Sequence, residues 1–232
     1  MFEYLSNFLN ENKIDLAFLI SKFLGYCIIT FSITLKLPQI LNMMKIKSDR
    51  GLSYLTMYTE ILMYLFSALY GFHKGNPFST YGENVFILIQ SLVILLLCFK
   101  YAENPTKSSR ILGGFFSIFS ILVTIKSIEG SGIPEYIWTF MASSSIPLSS
   151  FGRMSQIYFS FRQKDTGSLS SITYFLGMMG SLTRIFTTYT ETKDVILIAS
   201  FAYGAFLNFV ILIQILIYGD NTKKVASKDK TN

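Results

Sequence analysis

Two basic side chains, Lys36 and Arg153, sit inside long, largely apolar stretches, each nine residues before the basic end of its stretch at Lys45 and Arg162. On a helix that places both roughly 13 Å below the end of the segment. Glu60 lies eight residues into the following apolar stretch, counted from Leu52, at about the same depth. An ionised side chain at the centre of a membrane helix costs about 2.5–3.5 kcal/mol even on the permissive insertion scale, so these groups must face an interior and pair, or bind something charged. Two arrangements satisfy that requirement. In one, Lys36 and Glu60 form an ion pair that fixes helix packing, and Arg153 snorkels along its stem toward the headgroups. In the other, the net positive cluster holds an anionic or phosphate-bearing ligand, with Arg153 supplying a planar fork, Lys36 a point charge, and Gln39 and Gln156 lying near the phosphate or sugar. Arg184 is a further candidate contact near the far end of a later stretch; Glu191 lies a little beyond it, and snorkelling is its simplest explanation. His73 is the sole histidine, and no thiols or carboxylates have metal-ligand spacing. No nucleophile elbow, phosphate-binding glycine loop or zincin motif is present, so neither catalysis nor a cofactor is expected.

The elements that must carry these residues are membrane helices. Of 232 residues 51% are hydrophobic, 16% aromatic and only 15% charged, with a mean hydropathy of +0.45; an ordinary soluble domain carries roughly a quarter charged residues. Seven windows are apolar and near the roughly 20 residues that cross a bilayer: 16–38, 52–72, 82–101, 110–128, 136–160, 169–188 and 195–218. The first exceeds a signal-peptide core in length and follows an acidic tail over residues 1–15, so it is expected to be retained. Two cysteines, Cys27 and Cys98, make no disulfide framework and read as buried thiols. Asn76 and Asn104 are each followed by proline, so no glycosylation acceptor is expected.

The chain also repeats itself. Lys36-Leu37-Pro38-Gln39-Ile40, continuing to Leu52-Ser53, returns 117 residues later as Arg153-Met154-Ser155-Gln156-Ile157, continuing to Leu169-Ser170. The repeated unit is a helix pair with its turn. The spacing predicts an all-α integral membrane protein of seven transmembrane helices: a three-helix repeat over 16–101, a linker helix over 110–128, and a second three-helix repeat over 136–218, followed by a tail over 219–232. With a single linker crossing, both repeats begin on the same side and are parallel. Twelve cations on the odd-numbered loops and the tail, against four on the other side interleaved with acids, place the odd loops and the C-terminus in the cytosol. The pI of about 9.2 is then a topology signal, and no nucleic acid partner is expected.

Pro38 removes a backbone hydrogen bond near the end of the first span and marks a kink or hinge, with Gln39 placed to bond a freed carbonyl. The second copy has Ser155 instead, while Pro147 lies about two turns earlier and moves the hinge deeper. Packing bends alone would also account for both prolines. Ser48-Asp49 and Asp165-Thr166 in the repeated turns are suited to cap the helices that follow.

Lys36-Leu37-Pro38-Gln39 and its repeat resemble the PQ-loop membrane proteins, which include SWEET sugar transporters, cystinosin-like exporters and relatives of the KDEL receptor. Within them, Asn76-Pro77-Phe78-Ser79-Thr80-Tyr81-Gly82-Glu83, Thr166-Gly167-Ser168-Leu169-Ser170-Ser171-Ile172-Thr173 and Gly180-Ser181-Leu182-Thr183-Arg184-Ile185-Phe186-Thr187 are most similar to the mannose-P-dolichol utilization defect family. That resemblance implies a multi-pass endoplasmic reticulum protein needed for use of dolichyl-phosphate-mannose, and of dolichyl-phosphate-glucose, in N-glycan precursor and GPI-anchor assembly. Moving or presenting the lipid-linked sugar, organising lumenal mannosyltransferases, and carrying a small solute in the SWEET or cystinosin manner are the three mechanisms it leaves open. Lys228 and Lys230, third and fifth from the end, fit a dilysine retrieval signal, which acts only in the cytosol.

Overall fold

The computed structural model describes residues 15–47, 54–101, 107–129, 132–164, 166 and 171–229, with the side chains of the last helix described as far as Tyr218. Among these residues all regular structure is helical: α1 Leu16–Thr34, α2 Leu37–Ile46, α3 Tyr54–His73, α4 Phe78–Tyr101, α5 Lys107–Glu129, α6 Glu135–Gln163, α7 Ser171–Glu191 and α8 Val195–Asp229. Because α1 and α2 form one interrupted rod, the described residues make seven rods. Those over 16–46, 78–101 and 195–218 are long and apolar enough by themselves to cross a membrane, and Gly113–Ser127 is a shorter apolar stretch within α5. Large apolar side chains point outward along the rods, Phe31 being 76% and Leu96 67% exposed, as lipid-facing helices require.

The helix ends follow from their capping residues. Asp15 accepts a hydrogen bond from the Ala17 N–H at 2.9 Å and starts α1; Asp194 accepts from Ile196 and Leu197 and starts α8. Between α3 and α4 the chain reverses through Gly75 at φ +65°, and the Asn76 N–H returns to the Gly71 carbonyl at 3.0 Å. Thr80 then donates from both backbone and side chain to the Pro77 carbonyl, opening α4. The capping residues expected at Ser48-Asp49 and Asp165 lie outside the described residues, whereas Thr166 is described and buried.

The 117-residue offset recurs in the backbone itself. α3 and α7 begin at Tyr54 and Ser171, and α4 and α8 begin at Phe78 and Val195. Lys47 and Lys164, also 117 apart, both adopt the left-handed conformation, with φ 53° and 55°.

Two compact units divide the chain: residues 1–142 with 190–193, and residues 143–189 with 194–232. In the first, α4 packs against α1, α2 and α3, so the third span lies between the first and the second, and α5 packs on α3. Its core joins Ile40 and Met43 of α2, Met57, Tyr58 and Ile61 of α3, and Ile94, Leu95 and Cys98 of α4. Where α1 meets α4, a side chain on Gly25 would lie 3.0 Å from the Ser79 carbonyl, so the two backbones are nearly in contact. In the second unit α7 and α8 touch at Gly177 and Asn208, and α8 is tied to α6 by Gln214, which donates to the Ile157 carbonyl at 3.0 Å.

Candidate functional site

The first rod breaks at Leu35-Lys36, two residues before Pro38, which takes the second position of α2. Proline there has no N–H for the Thr34 carbonyl, and its ring crowds that carbonyl, so the ladder opens in the turn before it. What fills the gap is not the neighbouring glutamine. Gln39 is exposed; instead Gln90, buried on α4, accepts the Lys36 N–H through Oε1 at 2.9 Å and donates from Nε2 to the Ser32 carbonyl at 2.8 Å. In a continuous helix those two backbone groups would bond each other. A side-chain amide has been inserted into the 36-to-32 step of the ladder, one of the few recognised causes of a sharp kink.

Lys36 then turns its ammonium to Glu60 on α3, at 2.7 Å, with the Tyr64 ring 5.9 Å away. Its side chain is 12% exposed and that of Glu60 32%. Of the two arrangements left open for these residues, the ion pair between Lys36 and Glu60 is present, and the pair carries no net charge.

A second polar cluster, which the spacing did not reveal, occupies the same unit. Lys22 of α1 contacts Glu191, the last residue of α7, at 2.7 Å, and donates to Ser79 of α4 at 2.9 Å. Ser21 donates to the same carboxylate at 2.7 Å and Ser79 closes a further short bond to it. The Glu191 side chain is completely buried, and three polar contacts, from Ser21, Lys22 and Ser79, replace the water it has lost. Lys22 lies inside the first apolar window and so carried the same signal as Lys36; its partner, 169 residues away, did not.

The remaining expected residues fall in the second unit. Arg153 is half-buried on α6, with Nη1 3.8 Å from the position a Cβ would occupy on Gly204 of α8, and no ion pair joins it to a carboxylate among the described residues. Gln156 donates to Ser160 at 3.2 Å, one turn on. Pro147 lies inside α6, which runs unbroken to Gln163, and Ser150 donates to the Ile146 carbonyl in the next turn. Arg184 is 3% exposed, so it is buried rather than snorkelling, and Glu191, the acid nearest to it in sequence, is engaged by Lys22. Of the retrieval pair, Lys228 falls in the last turn of α8 and Lys230 lies outside the described residues.

Just outside the spans, the His73 ring stacks on the buried Trp138 indole with centroids 3.9 Å apart, while Lys74 donates to Glu135 and His73 lies 3.6 Å from the same carboxylate. The hydrogen bond from Lys74 holds the Glu135 carboxyl below the usual carboxylate range, and His73 adds to the effect.

Paired helical sets, one with an interrupted first rod and buried ion pairs, define a duplicated, multi-pass membrane protein. The PQ loop repeat family matches residues 20–80 and again 137–197, more than half of the chain and 117 residues apart, and the chain belongs to that family. Solute carrier family 66 member 3 of Homo sapiens is 27% identical over 184 residues, which span 79% of this chain and 87% of the relative. A eukaryotic SWEET transporter solved at 3.7 Å shares the fold, with a TM-score of 0.68 over 88% of this chain and 98% of that one, at 12% identity. The fold expected from the sequence, all-α with PQ-loop repeats and SWEET-like, is thus the one observed.

Proposed function

We propose that this protein is a membrane carrier for a neutral, hydroxyl-rich solute of the sugar class, and that the Lys36–Glu60 pair with the Gln90-splinted break lines its path. The observation that carries this reading is the neutralisation of Lys36: ammonium and carboxylate together offer donors and acceptors with no net charge, which matches a neutral polar solute better than a phosphate. The family, the carrier relative and the fold of a sugar transporter support it. A second reading keeps the phosphate-bearing ligand and rests on Arg153, whose fork is paired with no carboxylate among the described residues. In it the protein sits in the endoplasmic reticulum membrane with a cytosolic C-terminus, and moves or presents dolichyl-phosphate-mannose and dolichyl-phosphate-glucose to lumenal mannosyltransferases and related enzymes.

Purified full-length protein in liposomes, assayed for counterflow of labelled hexoses and for flipping of a labelled dolichyl-phosphate-mannose analogue, tests both. Hexose counterflow abolished by Glu60→Gln supports the first reading. Flipping of the lipid without hexose movement, lost in Arg153→Lys because that change keeps charge but removes the bidentate fork, overturns it in favour of the second. Movement of neither overturns the carrier reading and the lipid-moving form of the second, and leaves a non-transporting role.

A further inference from the structure

The first unit contains a half-open cavity of about 420 Å³ between α3, α4 and α5. It lies off the site described above: Glu60 and Tyr64 take the face of α3 that meets Lys36, whereas Tyr58, Ile61 and Leu65, at helical spacing, turn to the cavity. α3 and α4 give it a wall of aliphatic side chains. α5 gives it room, because Ser117, Ser120 and Thr124 recur along one face where bulkier residues would fill the space. Gly113, one turn before Ser117, brings α5 against the Tyr58 hydroxyl and closes that end.

The Ser120 and Thr124 hydroxyls do not make the cavity polar. Ser120 donates to the Phe116 carbonyl at 2.7 Å and Thr124 to the Ser120 carbonyl at 2.8 Å, so both are engaged by their own helix. Water in such a space would lack the two to four partners it needs, and apolar cavities of this kind stay dry. No charged side chain lines the space. Leu92, Ile121 and Ile125 line it and are themselves exposed, so its mouth opens onto hydrocarbon. A methylene takes up nearly the share of space of a water molecule, about 30 Å³, which makes the cavity large enough for about fourteen of them. The structure therefore assigns this cavity to one acyl chain of a bilayer phospholipid, seated between the second, third and fourth spans with its headgroup outside. The assignment is independent of what the protein carries.

The test uses the full-length protein in nanodiscs containing phosphatidylcholine with a diazirine on one acyl chain, irradiated and mapped by mass spectrometry. Adducts are expected at Leu62 and Leu88, which line the cavity and are half-buried, and their yield saturates as the probe fraction rises. Ile118, exposed and outside the lining, is labelled in simple proportion to the probe. Ser120→Leu with Thr124→Leu fills the space and abolishes labelling at Leu62 and Leu88 while sparing Ile118. Because that variant can fail to fold, the wild-type saturation curve stands alone: non-saturable labelling at Leu62, or none, overturns the assignment. Labelling of Leu62 by a diazirine sterol or polyprenyl phosphate in preference to the phospholipid overturns it equally.

Discussion

Replacing Gln90 with leucine removes both hydrogen bonds by which α4 splints the first rod, the one from the Lys36 N–H and the one to the Ser32 carbonyl. Interhelical hydrogen bonds in a membrane protein contribute about 0.6 kcal/mol on average and roughly 1.7 at most. Two of them therefore set the loss at about 1–3 kcal/mol, or about 2–4 °C in melting temperature per kcal/mol for a chain of this length. The isolated effect does not prove insertion into the ladder, because any buried glutamine is costly to truncate. The proof lies in the background. In Pro38→Ala the helix regains an N–H and loses the ring that holds it open, so the Lys36 N–H and the Ser32 carbonyl can close on each other and make Gln90 redundant. Thermal unfolding can be followed through the reaction of Cys98, completely buried in the first unit's core, with a fluorogenic thiol reagent after Cys27→Ala removes the other thiol. The double-mutant cycle should show Gln90→Leu costing less in the Pro38→Ala background by at least about 1 kcal/mol. An equal loss in both backgrounds refutes the argument.

Lys22→Met strands a fully buried carboxylate and should cost about 3–5 kcal/mol, with Glu191→Gln in the same chain recovering most of it; thermal melts of the three variants decide. Lys36→Met and Glu60→Gln should each lower the melting temperature, and the double variant should restore it, whereas two additive losses would show that the pair is not mutually satisfied. The depressed Glu135 carboxyl contributes stability that is fully present above its unfolded-state value and lost as pH falls through the lower folded-state one. An acid titration of Trp138, the sole tryptophan, should therefore show a change below the ordinary carboxylate range that disappears in Glu135→Gln. On the second reading, with the protein in the endoplasmic reticulum, changing Lys228 and Lys230 to serine should shift it to the Golgi, while changing Lys223 and Lys224 should not; unaltered localisation removes the retrieval signal.

What the sequence disclosed was whatever local spacing encodes. The apolar runs, the 117-residue return and the shared depth of Lys36 and Glu60 all lie within a few turns of one another or in register across the duplication, and of the two arrangements that depth allowed the structure shows the ion pair. The proline was also legible, but its consequence was not. Gln39 is adjacent to the freed backbone in sequence, yet on α2 it faces outward, and Gln90, 54 residues from Lys36, reaches the gap because α4 packs between α1 and α3. Lys22 was passed over for the same reason, since only the folded chain brings Glu191 to it. Arg184 looked like a snorkelling residue on the strength of its position near a helix end; its burial is set by tertiary packing that no single-helix argument contains.

The splinted break also constrains how the two halves came to differ. At the positions 117 residues on, the second half has Ser155 in place of Pro38 and the buried Leu207 in place of Gln90, and α6 runs through without interruption. Proline without the glutamine leaves an open ladder with nothing to close it. Glutamine without the proline leaves a buried amide facing a helix that already satisfies itself. By this reasoning each of the two residues is tolerated because of the other, so a chain holding only one of them should be less stable than a chain holding both or neither. The pair is therefore expected to be epistatic across 52 positions of chain, and grafting either member alone onto Ser155 or Leu207 should destabilise the second half.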